Sequence, residues 1–258
     1  MVYKEHIFDI GAFNGLDGLI LALNNSNMLV HVFEANPEMI KTIKKNKKKI
    51  ENFKKLKIKN FIINNLVVSD KNKYFNFNIA KNPTVSSLYS FSKNIDKTWP
   101  GYREAHCTFV KKIKVKGITL ENYCKKNKIN SIKYLHIDTQ GNDLKVLKGL
   151  NKKIQIVEKG VLEAAVSASK SLYQNKDTIK HIKKFLKKKN FSIERIESVD
   201  KNIKNEKNVY FYNNEMSTKK QVNSKYKLRY FNRIISDKIN LKDNILNKLE
   251  QILKIKTF

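Results

Sequence analysis

The sequence is poor in the residues that interrupt or cross-link a backbone: its 258 residues include 8 glycines, 3 prolines and 2 cysteines. Cys107 and Cys124 form no CxxC pair, so neither a disulfide framework nor a thiolate zinc site is predicted. No run approaches the roughly 18 apolar residues that a membrane span requires, and the first residues lack a secretory signal pattern. We therefore expect a reduced protein of the cytoplasm.

Acidic residues are also scarce, because 53 Lys+Arg face 23 Asp+Glu and give a formal net charge of +30. Arginine occurs at only four positions, so lysine supplies nearly all of the positive charge. Abundant lysine, asparagine and isoleucine are typical of an AT-rich coding sequence, whereas nucleic-acid binders more often use arginine for bidentate contacts. Solvated lysine faces are the preferred interpretation, and attraction of an anionic partner is the alternative.

Short apolar runs alternate with lysine-rich helical stretches along the chain. Hydrophobic residues make up 41% of the sequence, which is enough to build a core and argues against wholesale disorder. Buried strands are predicted at residues 6–11, 29–34 and 61–68, with a helix at 16–23 and another that begins at Pro37. This β-α-β-α-β order predicts an α/β fold with parallel strands in a doubly wound sheet.

The second half of the chain is less regular. Residues 74–79 alternate with period two, which predicts an extra hairpin strand. Residues 81–108 are predicted to form a loop. Residues 191–196 and 209–212 predict a closing pair of strands.

The last residues differ in character from the rest. From about residue 215, apolar residues repeat at helical spacing among lysines, which predicts an amphipathic helical tail. Such a helix packs on the domain or on a partner, and contact with an anionic membrane surface is the alternative. We therefore divide the chain into a domain at 1–214 and a basic C-terminal extension at 215–258.

The first predicted strand ends in a glycine turn, with glycines at Gly11, Gly15 and Gly18. A strand that ends in glycine and turns into a helix brings backbone close to a ligand. Phe13 stands where the dinucleotide fingerprint has its second glycine, which makes room for a pyrophosphate. The bulky side chain of Phe13 argues against NAD or FAD and favours a cofactor without a diphosphate.

Glu34 ends the second predicted strand and follows Gly11 at close to the roughly 20-residue interval of an acid that accepts from ribose hydroxyls. A solvated loop charge is the alternative. The glycine turn and Glu34 together indicate an adenosine-type ligand without pyrophosphate, and S-adenosylmethionine fits that description.

Asp138 lies at the carboxyl end of another predicted strand, and Gly141 with the following helix forms a second turn. Open α/β sheets bind ligands at such ends. Asp138 is alternatively a helix N-terminal acid satisfied by backbone amides, or a ligand of a divalent ion together with Asp143. We expect no metal. His136, two residues earlier, is expected to pack within the sheet.

Six segments carry a resemblance to the FkbM family of S-adenosylmethionine-dependent methyltransferases. They occur in the family's order and spacing, at residues 8–15, 33–37, 67–70, 86–88, 137–144 and 146–149. The resemblance covers residues 6–212. It implies a Rossmann-like class I methyltransferase fold, in which a mostly parallel sheet of seven strands has an antiparallel last strand.

The resemblance also implies a cofactor site for S-adenosylmethionine. Asp9, Gly11 and Gly15 would hold its methionine end, Glu34 its ribose and Asn65 its adenine side, with Asp138 also close to it. Members of the family are similar to O-methyltransferases that act on hydroxyls of sugars, polyketides or other secondary metabolites.

Methyl transfer to a hydroxyl requires alignment of donor and acceptor and removal of the acceptor proton. Asp138 is the first candidate for the base, with Glu163, near the end of the next strand, as an orienting acid. This chain has Gln140 where many members carry glutamate. A substrate cap would come from residues 81–108 or from the tail.

We therefore expect an S-adenosylmethionine-dependent O-methyltransferase for a small-molecule or glycan acceptor, which the lysine excess would favour if the acceptor is anionic. An RNA methyltransferase is the alternative that the +30 charge suggests. The sequence contains no Asn/Asp-Pro-Pro-Tyr-like motif for adenine N6 and no Pro-Cys pair for C5 chemistry. A non-catalytic Rossmann-like domain, docked on an anionic partner or membrane through its tail, is the other alternative.

Overall fold

A computed structural model describes residues 3–175, 177–199 and 203–216. The strands in these ranges are β1 (His6–Ile10), β2 (Leu29–Phe33), β3 (Phe61–Asn64), β4 (Val67–Val68), β5 (Tyr74–Ala80), β6 (Phe109–Ile118), β7 (Ile132–Ile137), β8 (Lys159–Ala165), β9 (Phe191–Ser198) and β10 (Glu206–Asn213). The α-helices are α1 (Leu16–Asn24), α2 (Pro37–Lys54), α3 (Ile95–Thr98), α4 (Leu120–Lys126), α5 (Asp143–Lys148) and α6 (Ile179–Lys188). Nearly all of the predicted C-terminal extension lies outside the described residues. No helix within the described ranges has the length and apolar character needed to cross a membrane.

The main sheet has seven strands in the order β3-β2-β1-β7-β8-β10-β9. All of its neighbouring pairs are parallel except those of β10, which runs antiparallel to both β8 and β9. The predicted sheet of seven mostly parallel strands with an antiparallel last strand is therefore confirmed. The chain moves outward from β1 to β3 and then returns to β7 on the other side of β1. Ligands of open α/β sheets bind at such a switch point, at the carboxyl ends of the strands.

Every residue of β1 is buried, so both faces of the sheet are covered at this strand. Ile7 packs in one apolar cluster with residues of α1 and α2, and Phe8 packs in a second cluster with residues of α4 and α5. This burial explains why the strand is apolar almost throughout, as expected for a parallel strand between two helical layers. His6 and Asp9 are the exceptions, and Asp9 lies beside the switch point.

The prediction of one strand over residues 61–68 is wrong. Strand β3 ends at Asn64, and β4 pairs with β6 in a separate sheet of order β4-β6-β5. Between the two strands, the Asn65 side-chain amide donates to the Glu34 and Ala35 carbonyl oxygens, at 2.9 and 3.1 Å. These bonds hold the chain at the carboxyl end of β2, where it turns away from the main sheet.

Residues 81–108, predicted to be a loop, contain a 3₁₀ turn at Pro83–Val85 and the short helix α3. An apolar cluster that includes Leu172 and Tyr173 attaches this segment to the stretch after β8. The Trp99 indole N–H adds a hydrogen bond of 3.0 Å to the Lys170 carbonyl oxygen. The segment is therefore packed over the carboxyl end of β8. The predicted hairpin strand at 74–79 and the closing pair are confirmed as β5, β9 and β10.

Candidate active site

The glycine turn follows β1 and lies against the carboxyl ends of its two neighbouring strands. The Gly11 and Ala12 N–H groups both donate to the Phe33 carbonyl oxygen, at 2.9 and 3.0 Å. Gly11 has a φ of +85°, and a Cβ atom there would overlap the Asp138 carbonyl oxygen. Only glycine therefore fits this position, where the ends of β1, β2 and β7 meet.

Gly15 has a different reason to be glycine. Its φ is +72°, and a Cβ atom would lie 2.8 Å from Cγ2 of Ile43 in α2. Helix α1 begins at the next residue, so the absence of a side chain lets the start of α1 pack closely on α2. Gly15 thus shapes the turn through helix packing.

Glu34 closes the turn from the end of β2. Its Oε2 accepts from the Phe13 N–H at 2.8 Å, and its Oε1 accepts from the Asn36 N–H at 2.7 Å. The residue is only 8% exposed, and burial raises its pKa to about 7, although the N–H donors oppose the rise. The predicted ribose acid therefore lies on the glycine turn, with a carboxyl group that changes charge near neutral pH.

Asp9 lies on the face of the sheet that α1 covers, and it is 1% exposed. Its Oδ1 is 2.8 Å from His136 Nδ1, which places His136 within the sheet as expected. Its Oδ2 has no hydrogen-bond partner among the described residues, and a Cβ atom on Gly18 would lie 3.2 Å from this oxygen. Asp9 thus braces β1 against β7 directly beneath the turn.

Asn65, the residue predicted at the adenine side, is exposed beside Glu34. Its amide nitrogen is committed to the two carbonyl oxygens that follow β2, as described above. The side-chain oxygen is therefore the atom of Asn65 that remains to face a ligand. The site residues predicted from the first third of the chain, except Asp9, line one continuous edge at the ends of β1 to β3.

Asp138 follows β7 and is bound by Gln140, whose Nε2 donates to its Oδ1 at 2.7 Å. The Tyr173 hydroxyl lies 2.8 Å from Gln140 Oε1 and 2.9 Å from the Val85 carbonyl oxygen, so its one proton serves two acceptors. The Ser87 hydroxyl donates to the Gln140 carbonyl oxygen at 2.6 Å. A glutamate at position 140 would be unable to donate to Asp138 when ionised. Gln140, which stands where many family members carry glutamate, therefore joins Asp138 to segment 81–108.

A cleft opens beside Asp138, between β8, the start of α5 and the start of α6. We call it the acid cleft, and its lining residues are Gln140, Gly141, Asp143, Leu144, Glu163, Ala164, Ala165, Ser171, Asn175, Asp177, Ile182 and Glu206. Four of these residues are carboxylic acids, and none is a lysine or an arginine. A chain with a large excess of basic residues thus contains a cleft that is lined by four acids and by no lysine or arginine.

Asp143 is 3% exposed at the start of α5. Burial, and next the charge of Asp138, raise its pKa to about 8. Its two oxygens accept from the Thr139 N–H at 3.4 Å and the Thr139 hydroxyl at 3.2 Å. Among the residues that the structure describes, no group of three or more His, Cys, Asp or Glu is arranged to hold a metal ion.

Glu163 and Glu206 come together across the antiparallel strands β8 and β10. Glu206 pairs with Ala165 and Asn208 pairs with Glu163, so the two acids lie on the same face and diagonally opposite each other. Their side chains are hydrogen-bonded. Burial raises the pKa of Glu206 to about 7 and that of Glu163 well above its ordinary value. The sequence reasoning missed Glu206, for which the only signal was an acid just before a predicted strand.

The strand order, the glycine turn at the switch point and the acid at the end of β2 together define a class I methyltransferase. Within that class, residues 9–193 match the methyltransferase FkbM domain, and the chain belongs to this family. Membership agrees with the sequence-based prediction that the cofactor is S-adenosylmethionine.

The chain is similar to solved structures at low sequence identity. The crystal structure of methyltransferase FkbM from Methylobacillus flagellatus KT is 11% identical, with a TM-score of 0.52, and the match covers 81% of this chain and 44% of that one. TrmK of M. capricolum, in complex with S-adenosyl-homocysteine, is 11% identical with a TM-score of 0.45, over 88% of this chain and 70% of that one. This chain thus spans less than half of the first structure. A comparison with curated protein sequences found no match.

Proposed function

We propose that this methyltransferase uses S-adenosylmethionine to methylate a hydroxyl group of a sugar, a glycan or a secondary metabolite. The observation that carries the proposal is the glycine turn at the switch point, closed by the Glu34 carboxyl group. The turn brings bare backbone to the ends of three strands. An acid stands beside it at the distance along the chain that suits ribose recognition.

The residues of the turn fit S-adenosylmethionine better than a dinucleotide. Phe13 occupies the position where a pyrophosphate needs glycine, and Glu34 offers an acceptor for ribose hydroxyls. The free side-chain oxygen of Asn65 would accept from the adenine amino group. Asp9 supports the methionine end indirectly, because it braces β1 beneath the turn through His136.

When bound, S-adenosylmethionine supplies an electrophilic methyl group on a sulfonium. The protein's own residues have to orient the acceptor, exclude water and remove one proton. Segment 81–108 serves as the cap, since Ser87, Val85 and Tyr173 bind it to Gln140 beside Asp138. The acid cleft next to Asp138 is where the acceptor would bind.

Titration calorimetry with S-adenosylmethionine tests the cofactor assignment. Glu34→Ala removes the ribose acceptor and releases the Phe13 N–H, so we expect binding to fall below detection. Glu38→Ala, at an exposed acid of α2, is the matched control and should bind like the wild type. Wild-type affinity in the Glu34 variant, with an unchanged melting temperature, would exclude the ribose role.

A nucleic-acid acceptor has one observation in its favour, the net charge of +30. The acid cleft opposes it, because phosphates would be placed near Asp143, Glu163 and Glu206. Retention of RNA at rising salt concentration distinguishes a nucleic-acid acceptor from a small-molecule or glycan acceptor. Binding that depends on phosphate contacts weakens steeply as the salt concentration rises. We expect retention to be lost at moderate salt, with no methyl label transferred to RNA.

A further inference from the structure

The acid that removes the acceptor proton has to face the acid cleft with an oxygen that is not already used for structure. Asp138, the base expected from the sequence, has its Oδ1 bound by Gln140 at 2.7 Å. Asp143 accepts from Thr139 with both oxygens. Asp138 is not among the residues that line the acid cleft, and Asp143 already accepts two hydrogen bonds at the start of α5, so neither is as well placed as Glu206 to act as the base.

Glu206 differs from both of them. It lies at the first position of β10, lines the cleft, and has the Glu163 side chain as its hydrogen-bond partner. Two carboxyl groups in contact hold a proton between them, because they repel each other when both are ionised. Beyond burial, contact with Glu206 raises the pKa of Glu163, whereas the hydrogen bond to Glu163 opposes the rise in the pKa of Glu206, so the proton belongs on Glu163.

We propose, on the basis of the methyltransferase function above, that Glu206 is the general base of the reaction and that protonated Glu163 positions it by donating a hydrogen bond. The assignment makes Glu206 the catalytic residue and Glu163 a positioning residue. Asp138 keeps only its part in holding Gln140 and the cap.

The reaction balances with this pair. The acceptor oxygen forms a bond to the methyl carbon while the carbon–sulfur bond breaks and its electron pair stays on sulfur. The hydroxyl proton passes to Glu206, which later releases it to water. No oxidant, reductant or metal takes part in this step.

The charges around the pair support a base that works near neutral pH. Burial, opposed by the hydrogen bond from Glu163 and reinforced by Asp138, raises the pKa of Glu206 to about 7. A base is most effective when its pKa is close to the operating pH. The other titratable groups on the packed elements are Asp143 at α5, Asp177 before α6 and Tyr173 in the stretch after β8.

Two amide substitutions distinguish the roles of the pair. Glu163→Gln keeps a neutral donor toward Glu206 and so imitates the protonated acid, whereas Glu206→Gln removes the base. With labelled methyl from S-adenosylmethionine and a small-molecule extract as the acceptor, we expect Glu206→Gln to lower the transfer rate by roughly 100-fold or more. Glu163→Gln should lower the rate by a smaller factor than Glu206→Gln does and should keep the wild-type pH profile. Glu197→Gln, at an exposed acid of β9, is the control.

The affinity for S-adenosylmethionine, measured by calorimetry, should be the same within about threefold in all three variants. Absence of binding in the wild type would contradict the proposed function itself. Intact binding with equal losses in the two glutamate variants, or with an active Glu206→Gln, would overturn the assignment and leave the proposed function standing.

A carboxyl ¹³C NMR titration of the glutamate-labelled full chain needs no acceptor. We expect a glutamate that titrates near pH 7 to disappear in Glu206→Gln and to remain in Glu163→Gln. Glu34→Gln identifies the other glutamate expected in that range. A Glu206 signal at the ordinary glutamate pKa would overturn the inference, whatever the rates show.

Discussion

The two halves of the candidate site are built in opposite ways. At the cofactor end, the Glu34 carboxyl group accepts from two backbone N–H groups, and Gly11 joins three strand ends by close backbone contact. In the acid cleft, Glu163 and Glu206 have each other as partners, and Asp143 lies buried near the charge of Asp138. The cofactor end therefore depends on backbone geometry, whereas the cleft depends on which carboxyl groups are protonated.

The largest effect should come from breaking the backbone geometry. Gly11→Ala puts a Cβ atom onto the Asp138 carbonyl oxygen at a φ of +85°, so we expect a loss of roughly 3 kcal/mol or more in the free energy of unfolding, or failure to fold. Gly101→Ala is the control, because its φ is +83° but its nearest neighbour, Glu104 Oε2, would lie 3.9 Å away. Urea unfolding should show a loss of only about 1–2 kcal/mol there. Equal losses would mean that backbone strain alone explains both.

Protonation in the cleft should have the next largest effect, on stability against pH. The folded-state pKa of Asp143, about 8, lies above the value of about 4 expected in the unfolded chain. The stability that follows from this difference is present below about pH 4 and is lost as the pH rises to about 8. We compare the free energy of unfolding of Asp143→Asn with that of the wild type at each pH. The substitution should be more favourable at pH 8 than at pH 5, by roughly 1–3 kcal/mol.

Thermal melting at the two pH values measures this change. Asp96→Asn, at an exposed acid of α3, provides the control and should show no such pH dependence. A stabilisation of Asp143→Asn that is equal at pH 5 and pH 8 would argue against a raised pKa.

The smallest effect concerns the turn out of β3. Asn65→Ala removes the two hydrogen bonds to the carbonyl oxygens after β2, so we expect a loss of about 1 kcal/mol in stability. We also expect a several-fold weaker affinity for S-adenosylmethionine, measured by calorimetry. Asn76→Ala, at an exposed asparagine of β5, should change neither. Unchanged cofactor affinity in Asn65→Ala would restrict this residue to a structural role.

The fold was largely predictable because its signals are local. Apolar runs and their spacing located nearly every strand of the main sheet, and the family resemblance supplied their order. The one wrong strand, over 61–68, has apolar residues on both sides of Asn64 and Asn65, so the pattern resembles a single strand. The chain turns away from the main sheet at Asn65, whose side chain is hydrogen-bonded to the residues that follow β2. The local sequence pattern does not indicate that contact.

The candidate site shows the same difference between local sequence signals and contacts that form only in the folded chain. By itself the sequence determined the glycine turn, Glu34 and hence the class of cofactor, because these residues belong to consecutive elements whose geometry follows from their spacing. Only the tertiary structure decided that Glu206 meets Glu163 and that Gln140 joins Asp138 to the cap. Those contacts depend on the pairing of β10 with β8 and on packing between distant segments. The burial that raises their pKa values exists only once the chain has folded.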